Sequence, residues 1–143
     1  MPPRPSTPRD SDRPIGSVLV VEDDPILALS IEDILIRAGA SSVTVCPGTQ
    51  EALTALERSR PDVVVLDVHL VDRDDGWTIA ELVNELGSER PRIVFSTGNP
   101  EAIPAEIARL GTVLTKPYAP DVLLQAVAGS RRKSLMERLR RAI

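Results

Sequence analysis

Carboxylates, a hydroxyl and a lysine stand where short apolar runs end. Val18-Leu19-Val20-Val21 leads into Glu22-Asp23-Asp24, and Val63-Val64-Val65-Leu66 leads into Asp67. Arg92–Phe95 leads into Ser96-Thr97-Gly98, and Thr112–Leu114 is soon followed by Lys116-Pro117-Tyr118. Two apolar runs that both end in carboxylates imply an acidic site at one edge of a parallel sheet. Carboxylates crowded there repel one another and rise in pKa unless a cation sits among them. Few hard oxygen ligands with room for water suit Mg²⁺. The chemistry is therefore expected at Asp67, with the Glu22–Asp23 cluster as its cation holder.

The elements that must position these groups alternate along the chain. Val18–Val21 reads as a buried strand. A helix opens at Pro25, where proline is tolerated, and Leu27, Ile31, Ile34, Leu35 and Ala38 share one face until Gly39 stops it. Strands follow at Ser42–Val45, Asp62–Leu66, Arg92–Phe95 and Thr112–Leu114. Helices fall at Thr49–Ser59, after Gly76 with Ile79, Leu82, Val83 and Leu86 inward, from Pro100 to Leu110 and proper only after Pro104, and from Pro120 with Leu123, Leu124 and Val127 inward. Five strand–helix pairs make an α/β, doubly wound parallel sheet. Ligands of such sheets bind beyond the carboxyl ends of the strands. Glu22, Asp23, Asp67, Thr97 and Lys116 all fall at such ends. Asp24, followed by Pro25, reads instead as a helix N-cap.

Composition narrows the function classes. The 143 residues suffice for one domain with a core. Aromatics are 2%, so the core is aliphatic and base stacking on Trp77, Phe95 and Tyr118 is a poor basis for nucleic-acid binding. The single cysteine, Cys46, precludes an internal disulfide and a cysteine-rich zinc site, and suggests a reducing, cytoplasmic setting. Cys46 itself reads as a small residue ending the second strand. No apolar stretch approaches a membrane span, and Met1–Pro14 lacks the apolar core of a secretory signal.

Charge is uneven. The net −4 divides into +1 over residues 1–17, −10 over 18–128 and +5 over 129–143. Residues 1–15, which hold five of the thirteen prolines, read as a disordered leader, 16–128 as the folded domain, and 129–143 as a basic helical extension. Leu135, Leu139 and Ile143 give that extension an apolar stripe. Docking to a partner, self-association into a homodimer and a solvated end all remain open for it, whereas specific DNA binding has no second helix to support it.

In order, Val20-Val21-Glu22-Asp23-Asp24-Pro25, Val65-Leu66-Asp67-Val68, Ser96-Thr97-Gly98 and Lys116-Pro117-Tyr118 resemble the motifs of the response regulator receiver domain of two-component signalling. The resemblance spans residue 16 to about residue 128. It implies a flavodoxin-like five-stranded sheet of order 2-1-3-4-5 with helices on both faces. It implies that Asp67 accepts a phosphoryl group from the phosphohistidine of a histidine kinase or phosphotransfer protein. Mg²⁺ would be held by Glu22 (through water), Asp23, Asp67 and the backbone carbonyl of His69. Lys116 and Thr97 would bind phosphoryl oxygens, and Lys116-Pro117 would be cis. The output would be contact with a downstream protein, through rearrangement of residues 100–128, and not enzymatic turnover on other substrates. The absence of an effector segment suggests a stand-alone receiver.

The sequence departs from the family pattern in three places. Val113 stands where the fifth strand usually carries the aromatic that follows the moving hydroxyl, so that relay is not available, and Tyr118 is not assumed to replace it. Phe95-Ser96-Thr97-Gly98 partly resembles the Phe-Ala-Thr-Gly motif of single-domain receivers associated with alphaproteobacterial stress signalling. The segment Leu70–Asp75 lacks the frequent Met-Pro pair and is one residue longer than usual up to Gly76. His69, the only histidine, reads as a side chain bordering the pocket that tunes phosphoryl lifetime. Two alternatives stay open: a degenerate receiver used as a phosphorylation-independent scaffold, and a Mg²⁺-dependent aspartyl-phosphate phosphatase. The phosphatase would need a second Asp where His69 stands.

Overall fold

The computed structural model describes residues 15–68, 77–87 and 90–129. Expectations for the leader before Ile15, for His69, for Leu70–Asp75 and for the basic extension beyond Gly129 lie outside the described residues.

Five strands form one parallel sheet: β1 (Ser17–Val21), β2 (Ser42–Cys46), β3 (Val63–Asp67), β4 (Arg92–Thr97) and β5 (Thr112–Thr115). Their order is β2-β1-β3-β4-β5, as expected. The helices are α1 (Pro25–Arg37), α2 (Thr49–Arg58), α3 (Thr78–Glu85), the short α4 (Ala105–Ala108) and α5, helical over 120–129. The helix expected from Pro100 to Leu110, proper only after Pro104, is a 3₁₀ turn, Pro100–Ala102, and then α4, which does begin after Pro104. Pro104 has no N–H to continue the first turn, so the helix restarts after it.

Local chemistry sets the ends of α1. The Asp24 carboxylate accepts the N–H groups of Ile26 and Leu27 at 3.0 and 3.3 Å, the N-cap geometry that satisfies otherwise orphaned donors. At the other end Gly39 has φ +97°, which suits glycine best. Its N–H and that of Ala40 bond back to the carbonyls of Ile36 and Leu35.

Alternation along the strands feeds two cores. Leu19, Val21, Val64, Leu66, Ile93 and Phe95 face α2, α3 and α4, with Trp77 edge-on to Phe95 at 6.5 Å. Val18, Val20, Val63, Val65 and Val94 face α1 and α5, meeting Ile31, Leu35, Leu123 and Val127. Every residue of β3 is buried, as a central strand covered on both faces requires. Ile15, assigned to the leader from sequence, is 2% exposed in the second core. The folded unit therefore starts at least one residue earlier than expected, because this isoleucine before Gly16 finds a pocket that the prolines upstream do not advertise.

Chain direction places the site. β1 pairs with both β2 and β3, so the chain leaves β1 in opposite directions for its next two strands. The crevice at that reversal opens at the carboxyl ends of β1 and β3.

Candidate functional site

Register brings the sequence-predicted residues together. Val21 pairs with Leu66, so Glu22 and Asp67 leave adjacent strands at the same level. Asp67 in turn pairs with Ser96, and Thr97 with Thr115 immediately before Lys116. Glu22, Asp23 and Asp67 each offer a carboxylate oxygen, all within 4.8 Å of one another. Glu22 and Asp67 are buried, each 4% exposed, whereas Asp23 is exposed.

The electrostatic consequence falls on Glu22. Burial first, then its hydrogen bond to Asp67 and the charge of Asp67, push its carboxyl from 4.5 up to about 8, with Asp23 adding to the rise and Lys116 opposing it. Three acids so placed are mutually unfavourable as anions, which is the crowding inferred from the sequence. Their all-oxygen donor set, one exposed and two shielded, fits a hard divalent cation such as Mg²⁺.

Opposite the acids lies the basic and hydroxylic side. Lys116 Nζ donates to Asp67 Oδ1 at 3.4 Å. The backbone N–H of Lys116 bonds the Thr97 carbonyl at 2.7 Å, which ties β5's exit to β4's end. Lys116-Pro117 is cis, as expected. Thr97 Oγ1 accepts the N–H of Asn99 at 2.9 Å, an arrangement that leaves the hydroxyl proton available for another acceptor. A cleft of about 320 Å³ is lined by Asp67, Val68, Thr97, Gly98, Asn99, Ala102 and Lys116. Its lining combines the Asp67 carboxylate with the donors of Thr97 and Lys116, an arrangement that can hold a tetrahedral oxyanion against Asp67.

A model of the response regulator receiver domain matches residues 18–128 of the chain. The chain belongs to that family. Among its relatives, the transcriptional regulatory protein TcrX of Mycobacterium tuberculosis is 35% identical over 87% of this chain and 53% of its own length. An uncharacterised 14.6 kDa protein of Leptolyngbya boryana is 36% identical over 77% of this chain and 86% of its own. The chain spans only 32% of another curated relative, a protein-glutamate methylesterase/protein-glutamine glutaminase of Archaeoglobus fulgidus. Of solved structures, the receiver domain of the sensor histidine kinase PA1611 of Pseudomonas aeruginosa is 26% identical, with a TM-score of 0.65 over 78% of this chain and 93% of that one. That structure holds a magnesium ion coordinated in its active-site cleft. Receiver domains bind Mg²⁺ and act as two-component signalling switches, and the acidic trio of this receiver occurs in the same fold.

Sequence reasoning missed three contributors. Asn99 and Ala102 line the cleft because the 3₁₀ turn folds back over β4's end, a turn only the third dimension reveals. The third is a hydroxyl pair: Ser96 Oγ lies 2.8 Å from the Tyr118 hydroxyl, across 22 residues of sequence. Val113 packs against the α2–α3 core, as a plain aliphatic residue. Among the described residues no helix is long and apolar enough to cross a membrane.

Proposed function

We propose that Asp67 is the phosphoacceptor of this receiver, taking a phosphoryl group from the phosphohistidine of a histidine kinase or phosphotransfer protein. A carboxylate oxygen of Asp67 forms the new P–O bond as the P–N bond to the histidine breaks, and the imidazole leaves with the bonding pair. The observation that carries this reading is the position of Asp67, which lines the cleft with Glu22 and Asp23 clustered on one side of it and Lys116 on the other.

Glu22, Asp23 and Asp67, with the backbone carbonyl of His69, are the residues that would hold Mg²⁺. Held there, such a cation would supply charge neutralisation for the transferring group. Lys116, already 3.4 Å from Asp67, turns to the incoming oxyanion. Thr97 donates its free hydroxyl proton to another phosphoryl oxygen. Transfer of this kind depends mainly on positioning and charge compensation, which this set supplies without a general base.

The output is contact with a downstream protein. A stand-alone receiver is supported by the Leptolyngbya relative, which is covered over 86% of its length. A cytoplasmic site of action accords with the lone buried Cys46. Incubation with Mg²⁺ and beryllofluoride, or with a small phosphodonor, should give an adduct at Asp67 that Asp67→Asn abolishes. Partner binding that is the same with and without the adduct would instead select the scaffold reading.

A further inference from the structure

Ser96 and Tyr118 have no part in that chemistry, yet their contact sits against it. Ser96 is 2% exposed, and its hydroxyl meets that of Tyr118 at 2.8 Å. Shielded hydroxyls are costly unless bonded, so each residue satisfies the other. Ser96 is the register partner of Asp67 and the chain neighbour of Thr97. Tyr118 is two residues past Lys116. Each end of the bond is therefore joined, through a peptide unit or two, to one of the two phosphate-side groups.

The bond also has a definite sheet face. Side chains alternate along a strand, so Ser96 falls on the face of Val94, the one that α1 and α5 cover. Tyr118 packs against that same core, which contains Leu123 and Val127 of α5. Val113 lies on the opposite core. The chain therefore has an aromatic, Tyr118, hydrogen-bonded on the face of the sheet opposite Val113.

We propose that the Ser96–Tyr118 hydroxyl pair positions the end of β4 and the segment carrying Lys116 against Asp67, and carries a change at Asp67 to α5. The inference rests on the reading of Asp67 as phosphoacceptor. When an oxyanion draws Thr97 and Lys116 inward, the ends of β4 and β5 shift together only if Tyr118 follows Ser96. Tyr118 then repacks against α5, and α5 becomes the face that reports phosphorylation.

Tyr118 is the only tyrosine, so ¹³C-tyrosine labelling gives signals from one ring. The full chain is compared before and after Mg²⁺ and beryllofluoride, with the Asp67 adduct, the ring signal and amide exchange over residues 118–129 all recorded. The wild type should form the adduct, shift the ring signal and change its exchange. Ser96→Ala and Tyr118→Phe should still form the adduct, with the exchange response reduced about five-fold, the equilibrium effect of one net hydrogen bond. The double variant should be no worse than either single, and Ser96→Thr, which keeps the hydroxyl that Ser96→Ala removes, should keep the wild-type response. Adducts in every variant with an undiminished α5 response would overturn the relay and leave the acceptor reading standing. Absence of any adduct at wild-type Asp67 would overturn both.

Discussion

The two walls of the cleft are built on opposite principles. The wall from β1 and β3 carries three carboxylates that repel one another, with Glu22 raised to about 8 as the visible cost. The wall from β4 and β5 is already satisfied: Lys116 reaches Asp67, Thr97 receives Asn99, and Ser96 and Tyr118 bond each other. One side is held in tension that a cation relieves. The other is held by contacts that an arriving anion must rearrange. If the acidic wall holds the metal and the other wall answers the anion, as proposed, the two meet at Asp67 and substitutions elsewhere should damage them separately.

Asp67 belongs to both, so Asp67→Asn should have the largest effect. It should abolish the beryllofluoride adduct and phosphate incorporation altogether, measured by intact mass and radiolabel, while lowering the carboxyl pKa of Glu22. Lys116→Ala should test the satisfied wall alone. Phosphorylation by a small donor should slow by about 10²-fold, as when one oxyanion donor is removed, with Mg²⁺ affinity undiminished. A matching loss of Mg²⁺ affinity in Lys116→Ala would show that the walls are not separable.

Glu22→Gln tests the strained wall. Mg²⁺ affinity should fall about ten-fold, as for loss of a partner acting through water, and titration followed by Trp77 fluorescence would read it. The same wall governs pH dependence. Between 4.5 and about 8 the native protein keeps a proton on Glu22 that the unfolded chain has lost. Stability without metal is therefore greatest on this account below 4.5, and falls as pH rises through about 8. Urea melts at pH 5 and pH 8.5 should show the decline, and both Mg²⁺ and Glu22→Gln should flatten it. An equal decline in Glu22→Gln would assign it to other groups.

The smallest effect is expected next door. Asp24→Ala should cost about 1 kcal/mol of stability by uncapping α1 and leave Mg²⁺ affinity unchanged. Three consecutive acids would then divide into two that serve the cation and one that serves the helix.

Much of this was legible in the chain. Apolar-rich runs three to five residues long gave the strands to within a residue or two at either end, most clearly at β3, because a central parallel strand is buried on both faces. Asp24-Pro25 and Gly39 marked α1 because capping is decided within a few residues. The acids, Thr97 and Lys116 stood out because polar groups at the ends of such runs have few other uses. Ile15 was lost in a proline-rich context because its pocket is not a local property, whereas the break at Pro104 was legible and only the fold-back of the turn at Pro100–Ala102 onto the cleft was not.

By itself, then, the sequence determined which segments are strands and helices, where α1 begins and stops, and which side chains stand at the strand ends, all through short-range periodicity and capping. Tertiary structure alone decided the rest. The raised carboxyl of Glu22 needs burial at the sheet's edge first, and then Asp67, 45 residues away, brought to the same level by the β1–β3 register. The Ser96–Tyr118 bond needs β5 laid beside β4 and the chain turned back over the α1–α5 face. Desolvation and hydrogen bonding depend on distance in space, and the strand order converts separation along the chain into that distance.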